Sequence, residues 1–173
     1  RPDLISLGKY LGGGVSFGGF GGRAEIMEGF NPKSDGAWPH AGTFNNNIMT
    51  MSAGLAGLTQ LFTPEACIEL NAKGDNFRAR LNTSIRDRSL PIQVTGLGSM
   101  SNVHFTDEPV LRPGADPVAS RKRDLMHLDM LEAGVYHARR CMMNLSLPMT
   151  DEDMDFAVSA FEEFLDSRRA ILK

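Results

Sequence analysis

The chain has 173 residues, a formal net charge of -3 and 42% apolar residues, which is enough length and apolar content to bury a core. Acidic and basic residues are interspersed, which argues against the basic stripe of a nucleic-acid binder, and no apolar run reaches the roughly 18 to 20 residues that span a bilayer. The N-terminus lacks a basic region followed by an apolar signal segment, and Cys67 and Cys141 show neither CxxC nor Cys/His ligand spacing. A soluble chain in a reducing, cytoplasmic compartment is the expectation. The opening Arg1-Pro2-Asp3, without methionine, reads as a piece of something longer.

Leu4 to Leu7 is a short apolar run that predicts a buried strand. The segment from Gly12 to Gly22 holds seven of the 18 glycines, which predicts irregular backbone and close approaches around a ligand or an interface. From Ile48 to Phe62 apolar residues fall on every side, as in a helix buried in the core. Thr63-Pro64 then reads as an N-cap with proline at the first helical position. In the helix that follows, Leu70, Phe77 and Leu81 recur at helical spacing while Lys73, Arg78 and Arg80 can face water.

Ile92 to Val94 and Met100 to Phe105 are β-prone runs divided by Gly96 and Gly98, which predicts an antiparallel pair of unreadable register. Pro109 to Pro117 is expected to be a loop, and helical periodicity returns from about Ser120 to Ala133, with Gly134 placed for a left-handed cap. Val135 and the run from Met142 to Leu147 suggest short strands. The last helix is the clearest element: Thr150 and Asp153 are spaced as a capping box, and Met154, Ala157, Val158, Phe161 and Phe164 share a face. Asp151 and Glu152 suit its positive end, and Arg168 and Arg169 the other. This order fits an α/β chain ending in a compact α+β unit.

Lys9 stands at the end of the first apolar run, just before Gly12-Gly13-Gly14. An amine that attacks an aldehyde must be neutral, and apolar or cationic surroundings favour that form, so this position suits a Schiff-base lysine. A solvated lysine at a loop edge is the commoner reading of such a residue, and spacing alone does not decide between them.

The run Pro2-Asp3-Leu4, Leu7-Gly8-Lys9, Gly12-Gly13-Gly14, Gly18, Gly21-Gly22-Arg23 and Ile26-Met27 resembles the cofactor-lysine segment of class III aminotransferases, with most likeness to their glutamate-1-semialdehyde aminomutase branch. A second block, Ala41-Gly42-Thr43-Phe44-Asn45-Asn46-Asn47 with Met51-Ser52-Ala53-Gly54-Leu55, resembles the GT-x-x-x-N segment of the same family and the helix after it. The likeness implies a fold type I pyridoxal-phosphate (PLP) transferase, with residues 1–62 ending the large PLP-binding domain and residues 63–173 forming the connecting helix and the small C-terminal domain. It also implies that Lys9 holds pyridoxal 5'-phosphate as a Schiff base and moves the Cα proton as general acid and base. Gly42 and Thr43 match the pair that contacts the cofactor phosphate across a homodimer interface. Taken alone, they read as an ordinary turn before a helix.

Arg139-Arg140-Cys141-Met142-Met143-Asn144-Leu145-Ser146-Leu147 resembles the R-G-M-x-x-L-S-L segment of β-amino-acid aminotransferases in this class, with Cys141 in place of glycine. The likeness makes Arg140 the substrate-carboxylate arginine, a task that suits a guanidinium fork; a solvated arginine pair at a strand edge is the alternative. The implied activity is amino-group transfer between an amino acid, with β-amino acids among the candidates, and a keto acid. An aminomutase-like isomerase and a non-catalytic relative are the alternatives. The acidic and aromatic residues that aminomutases carry before the final helix are not found here. The first phosphate loop, the ring-stacking aromatic and the aspartate paired with the ring nitrogen belong to the N-terminal half of such enzymes, so function is expected of the full-length protein and the fragment alone is expected to be inactive. His40, His104, His127 and His137 lack metal-ligand spacing, and Met142 and Met143 are read as core filler or as pocket lining.

Overall fold

The computed structural model describes residues 1–43, 45–112 and 116–173, with Tyr10 described by its backbone alone. Phe44 of the second resemblance block and residues 113–115 of the expected loop lie outside the described residues. Contacts divide the chain into two units, Arg1–Glu65 and Ala66–Lys173.

In the first unit, strands β1 (Leu4–Gly8) and β2 (Gly18–Gly22) pair antiparallel, with Ser6 opposite Phe20 and Leu7 opposite Gly19. The expected strand is present, and within this chain Leu4, Ile5 and Leu7 are each 50% exposed. The partner strand has the sequence GGFGG, so it offers almost no side chain to cover them. A one-turn helix α1 (Ala24–Met27) follows, and then α2 (Ile48–Ala56), which continues as a π-helical turn over Gly57–Leu61. Asn47 caps α2 by accepting hydrogen bonds from the backbone N–H groups of Met49 and Thr50.

The expected helix over Ile48 to Phe62 is present as α2 and the π-helical turn after it. Only Thr50 and Gly54 of α2 are buried, while Ile48 and Met49 are 79% and 72% exposed. The covered side is the one with the least bulk, pressed against the turn that follows Lys9.

The second unit is built on a three-stranded antiparallel sheet of order β3-β4-β5, formed by Gln93–Leu97, Met100–His104 and Met142–Asn144. Val94 faces Val103 and Ser101 faces Met143 in its register. Val135 lies outside any strand, and the last strand stops short of Leu147. Helices α3 (Pro64–Asp87), α4 (Pro117–Glu132) and α5 (Asp151–Ser167) supply the rest of the core, and the short α6 (Arg169–Leu172) closes it. Phe77, Leu81 and Ile85 of α3, Met126 and Met130 of α4, and Phe161 and Leu165 of α5 join Val103 in one buried cluster.

Two devices fix α3. Asn82 satisfies the outer edge of β3, donating to the Val94 carbonyl and accepting from the Val94 N–H, both at 2.9 Å. A row of ion pairs and hydrogen bonds then joins α3 to α5: Lys73 with Asp151, Arg80 with Asp155, Ser84 with Glu162 and Arg88 with Asp166. The pairings advance together along both helices, so the helices run parallel. Lys73, Arg78 and Arg80 therefore do not simply face water: each is partly buried and paired with an acid, Arg78 with Asp75. The capping box on α5 is complete, with Thr150 and Asp153 each bonding the other's backbone N–H.

Candidate active site

Lys9 follows β1 and opens a 3-10 turn over Lys9–Gly12. It has a positive φ of 57°, a left-handed conformation that a residue with a Cβ adopts only when its surroundings enforce it. The enforcement is visible in the packing of the following turn on α2. A Cβ built on Gly54 would lie 2.5 Å from the Leu11 carbonyl oxygen, and one on Gly13 would lie 2.3 Å from that of Ala53. The Thr50 hydroxyl adds a hydrogen bond to the Ser16 carbonyl at 3.2 Å. Lys9 itself is exposed and, among the described residues, forms no ion pair.

Gly42 and Thr43 lie in the loop that leads into α2 and are both exposed. The Asn45 N–H bonds the Gly42 carbonyl at 3.0 Å, and a Cβ on Gly42 would meet the Asn45 side chain at 2.7 Å. The Thr43 hydroxyl has no partner among the described residues, and no hydrogen bond joins either residue to Lys9. The helix α2 thus carries the lysine turn on its flank and the Gly-Thr loop before its N-terminus.

The sequence reading missed an aromatic anchor at the head of that loop. Phe20 and Phe30 meet edge to face at 5.1 Å, Phe30 meets Trp38 at 5.2 Å, and His40 packs against Phe20 at 5.3 Å. The Trp38 backbone N–H also donates to the Gly29 carbonyl at 2.7 Å. The four rings, scattered over residues 20 to 40, were the available signal.

In the second unit, Arg139 and Arg140 occupy the tip of a tight loop closed by hydrogen bonds from Cys141 N–H to the Ala138 carbonyl and from Ala138 N–H to the Met142 carbonyl. The two arginines differ. Asp124 of α4 takes Arg139 bidentately at 2.7 and 3.1 Å, and this pairing holds the Asp124 carboxyl below its ordinary range. Among the described residues Arg140 hydrogen-bonds only to the Met142 sulfur and forms no ion pair.

Cys141 is fully buried at a φ of 63°, the left-handed geometry for which glycine is the natural occupant. Burial pushes its thiol pKa up to about 12. Beside this loop, Met142 and Met143 border an apolar cavity of about 320 Å³ that also meets Phe77, Val135 and Met154. Of the histidines, His104 is hydrogen-bonded to Thr95, His137 is buried against the Ala138 carbonyl with His127 packed on it, and His40 belongs to the aromatic anchor.

A family model for class III aminotransferases matches residues 1–165. The chain belongs to that family. It is 47% identical over 174 residues to the β-phenylalanine transaminase of Variovorax paradoxus, an alignment covering 99% of this chain and 40% of that protein. It is 34% identical to a glutamate-1-semialdehyde 2,1-aminomutase of Bacillus cereus, over 93% of this chain and 38% of the relative. The crystal structure of the Variovorax enzyme superposes with a TM-score of 0.93 at 45% identity, covering 99% of this chain and 40% of that one. A transaminase solved with PLP bound superposes at 0.83 with 28% identity, covering 99% of this chain and 40% of it. The fold is the corresponding part of a fold type I PLP transferase, and the chain spans about 40% of the length of these relatives. No helix among the described residues is long and apolar enough to cross a membrane.

Proposed function

We propose that the full-length protein is a PLP-dependent aminotransferase that moves an amino group between an amino acid, including β-amino acids, and a keto acid. The observation that carries this reading is the conformation of Lys9: a left-handed lysine, exposed and, among the described residues, without an ion pair, held by a turn locked onto α2. Strained, over-determined residues of this kind concentrate where chemistry is done. A phosphorylated aldehyde needs a free amine at one end and small, unengaged donors at the other, and Lys9, Gly42 and Thr43 meet that description. When bound, PLP supplies an electron sink that makes the substrate Cα–H bond breakable.

Lys9 would bond the cofactor covalently, yield that bond to the incoming amine, and carry the Cα proton away and back with its freed amino group. Gly42 would bring a backbone N–H close to the phosphate and Thr43 would add its hydroxyl, both reaching across a homodimer interface. Arg140 would clamp the substrate carboxylate, for which it has a free guanidinium where Arg139 has none. Residues 1–62 are assigned to the large cofactor domain and residues 63–173 to the connecting helix and small domain. The remaining cofactor contacts belong to the rest of the full-length protein. With Cys67 and Cys141 both free, a reducing cytoplasmic setting fits the chain.

The high identity to a β-phenylalanine transaminase over the whole of this chain favours transfer over aminomutation. Borohydride reduction of the full-length protein followed by peptide mapping tests the assignment: the cofactor should be fixed to the peptide carrying Lys9, and attachment elsewhere would refute it.

A further inference from the structure

Among the described residues of the first unit, Thr50 is the one buried polar side chain, 6% exposed in the opening turn of α2. A threonine inside a helix ordinarily turns its hydroxyl back to the carbonyl four residues earlier, and Thr59 and Thr83 do so, bonding Leu55 at 2.7 Å and Ala79 at 3.0 Å. Thr50 does not. Its first-turn position leaves no helical carbonyl four residues before it, and its hydroxyl donates instead to the Ser16 carbonyl at 3.2 Å, across 34 residues of chain. Its backbone N–H is held meanwhile by the Asn47 side chain at 3.3 Å.

The loop that receives this bond begins at Lys9. It turns through Gly13 and Gly14, both left-handed at φ of 60° and 89°, and closes with a hydrogen bond from the Val15 N–H to the Gly12 carbonyl at 3.0 Å. Helix α2 grips the loop at two places. At the Lys9 end the contact is steric, with Gly54 against the Leu11 carbonyl and Ala53 against Gly13. At the far end it is the Thr50 hydroxyl on Ser16. A van der Waals contact limits how closely the loop approaches but lets it slide, whereas a hydrogen bond is directional and fixes where the loop lies. Two consecutive glycines have many other conformations open to them, so without that tie the slide costs little.

We propose that Thr50 is a positioning residue for Lys9: by holding Ser16 it fixes the glycine loop on α2, and so keeps the first residue of that loop in the left-handed conformation that sets the direction of its side chain. The inference rests on the assignment of Lys9 as the cofactor amine, and it adds a residue that acts through the backbone of Ser16.

Thr50→Val keeps the shape of the side chain and removes the hydroxyl. In the full-length protein loaded with PLP it should speed cofactor loss on dialysis about 3- to 10-fold, the worth of one hydrogen bond, and move the pH midpoint of the visible absorbance by about half a unit or more. Thr50→Ser, which keeps the hydroxyl, should restore both quantities. Identity of Thr50→Val with the wild type in both would overturn the proposal. So would a lowered unfolding midpoint with an unmoved pH midpoint, because Thr50 would then support the fold alone, and so would a Thr50→Ser protein that behaves as Thr50→Val does. If Thr50→Val does not fold, Thr50→Ala compared with Thr50→Ser isolates the same hydroxyl, and equal pH midpoints in that pair would overturn the proposal. Loss of the Lys9 assignment would appear in peptide mapping of the reduced wild-type protein, which failure of the Thr50 proposal would leave unaltered.

Discussion

Asp124 holds the guanidinium of Arg139 through both of its oxygens, at 2.7 and 3.1 Å, and so separates two adjacent arginines into an anchored one and an available one. The anchored side chain ties the loop tip to α4. The available one, Arg140, meets no carboxylate among the described residues and can offer its guanidinium to one on a ligand.

From this follows a contrast between neighbouring substitutions. Arg140→Ala should raise the KM for carboxylate substrates by about 10- to 100-fold, the worth of a charge-assisted hydrogen bond. Arg139→Ala should change KM far less, because it removes an exposed pair on the outside of the loop. Steady-state kinetics on both variants decide the matter, and equal effects would argue against the division of roles.

The lysine turn depends on a glycine in the helix beneath it. In Gly54→Ala, the new methyl would sit 2.5 Å from the Leu11 carbonyl oxygen, so the turn must shift. A cost of about 1–3 kcal/mol is expected from the overpacking. Cofactor retention through dialysis should fall with it, and retention at the unaltered level would show that the turn does not depend on this contact.

Cys141 combines complete burial with a left-handed backbone. Cys141→Gly relieves the backbone while losing a small buried side chain, and the two effects should offset to within about 1 kcal/mol. Cys141→Val adds branching at Cβ where neither the backbone nor the packing admits it, and should cost about 2 kcal/mol or more. Denaturant unfolding midpoints measure both. Because burial pushes the thiol up to about 12, Cys141 should resist alkylation at pH 8 until the protein is unfolded, as peptide mapping would register.

Acid sensitivity should begin with histidine. Burial lowers the pKa of both His104 and His137 in the folded state; the Arg123 charge adds to this at His104, and the Ala138 carbonyl opposes it at His137. An unfolded histidine titrates near 6.5, so below about pH 6.5 the unfolded chain binds more protons than the folded one and stability falls toward the folded pKa values. The Arg88 and Arg139 guanidinium groups hold Asp166 and Asp124 below the ordinary carboxylate range, and that support is lost only below about pH 4. Unfolding midpoints between pH 7.5 and 5 should decline, and His137→Gln should flatten the slope. An unchanged slope would place the buried titration elsewhere.

Local signals were legible in the sequence wherever the chain is its own context. The capping box at Thr150 and Asp153, the proline opening α3 and the left-handed Gly134 are set by residues a few positions apart, and each stands where the pattern placed it. For β1 and α2 the apolar runs record only that a side chain can be covered, and among the described residues the GGFGG strand leaves Leu4 and Leu7 half exposed. The partners of Arg139, and of Lys73 and Arg80 on α3, lie 15 to 78 residues away and are set by tertiary packing. At the candidate site, the glycine spacing pointed to close approaches, and the family resemblance singled out Lys9, Gly42, Thr43 and Arg140. The positive φ of Lys9 and of Cys141 had no local signal, although glycine in the family pattern opposite Cys141 was a trace of the second.

The central claim is that Lys9 carries the cofactor, and the visible absorbance of the full-length protein with and without the Lys9 amine tests it most directly. The Lys9→Ala protein, folded and supplied with pyridoxal 5'-phosphate, should lose the absorbance of the covalently held cofactor and nearly all transfer activity. Retention of both at wild-type levels would contradict the account.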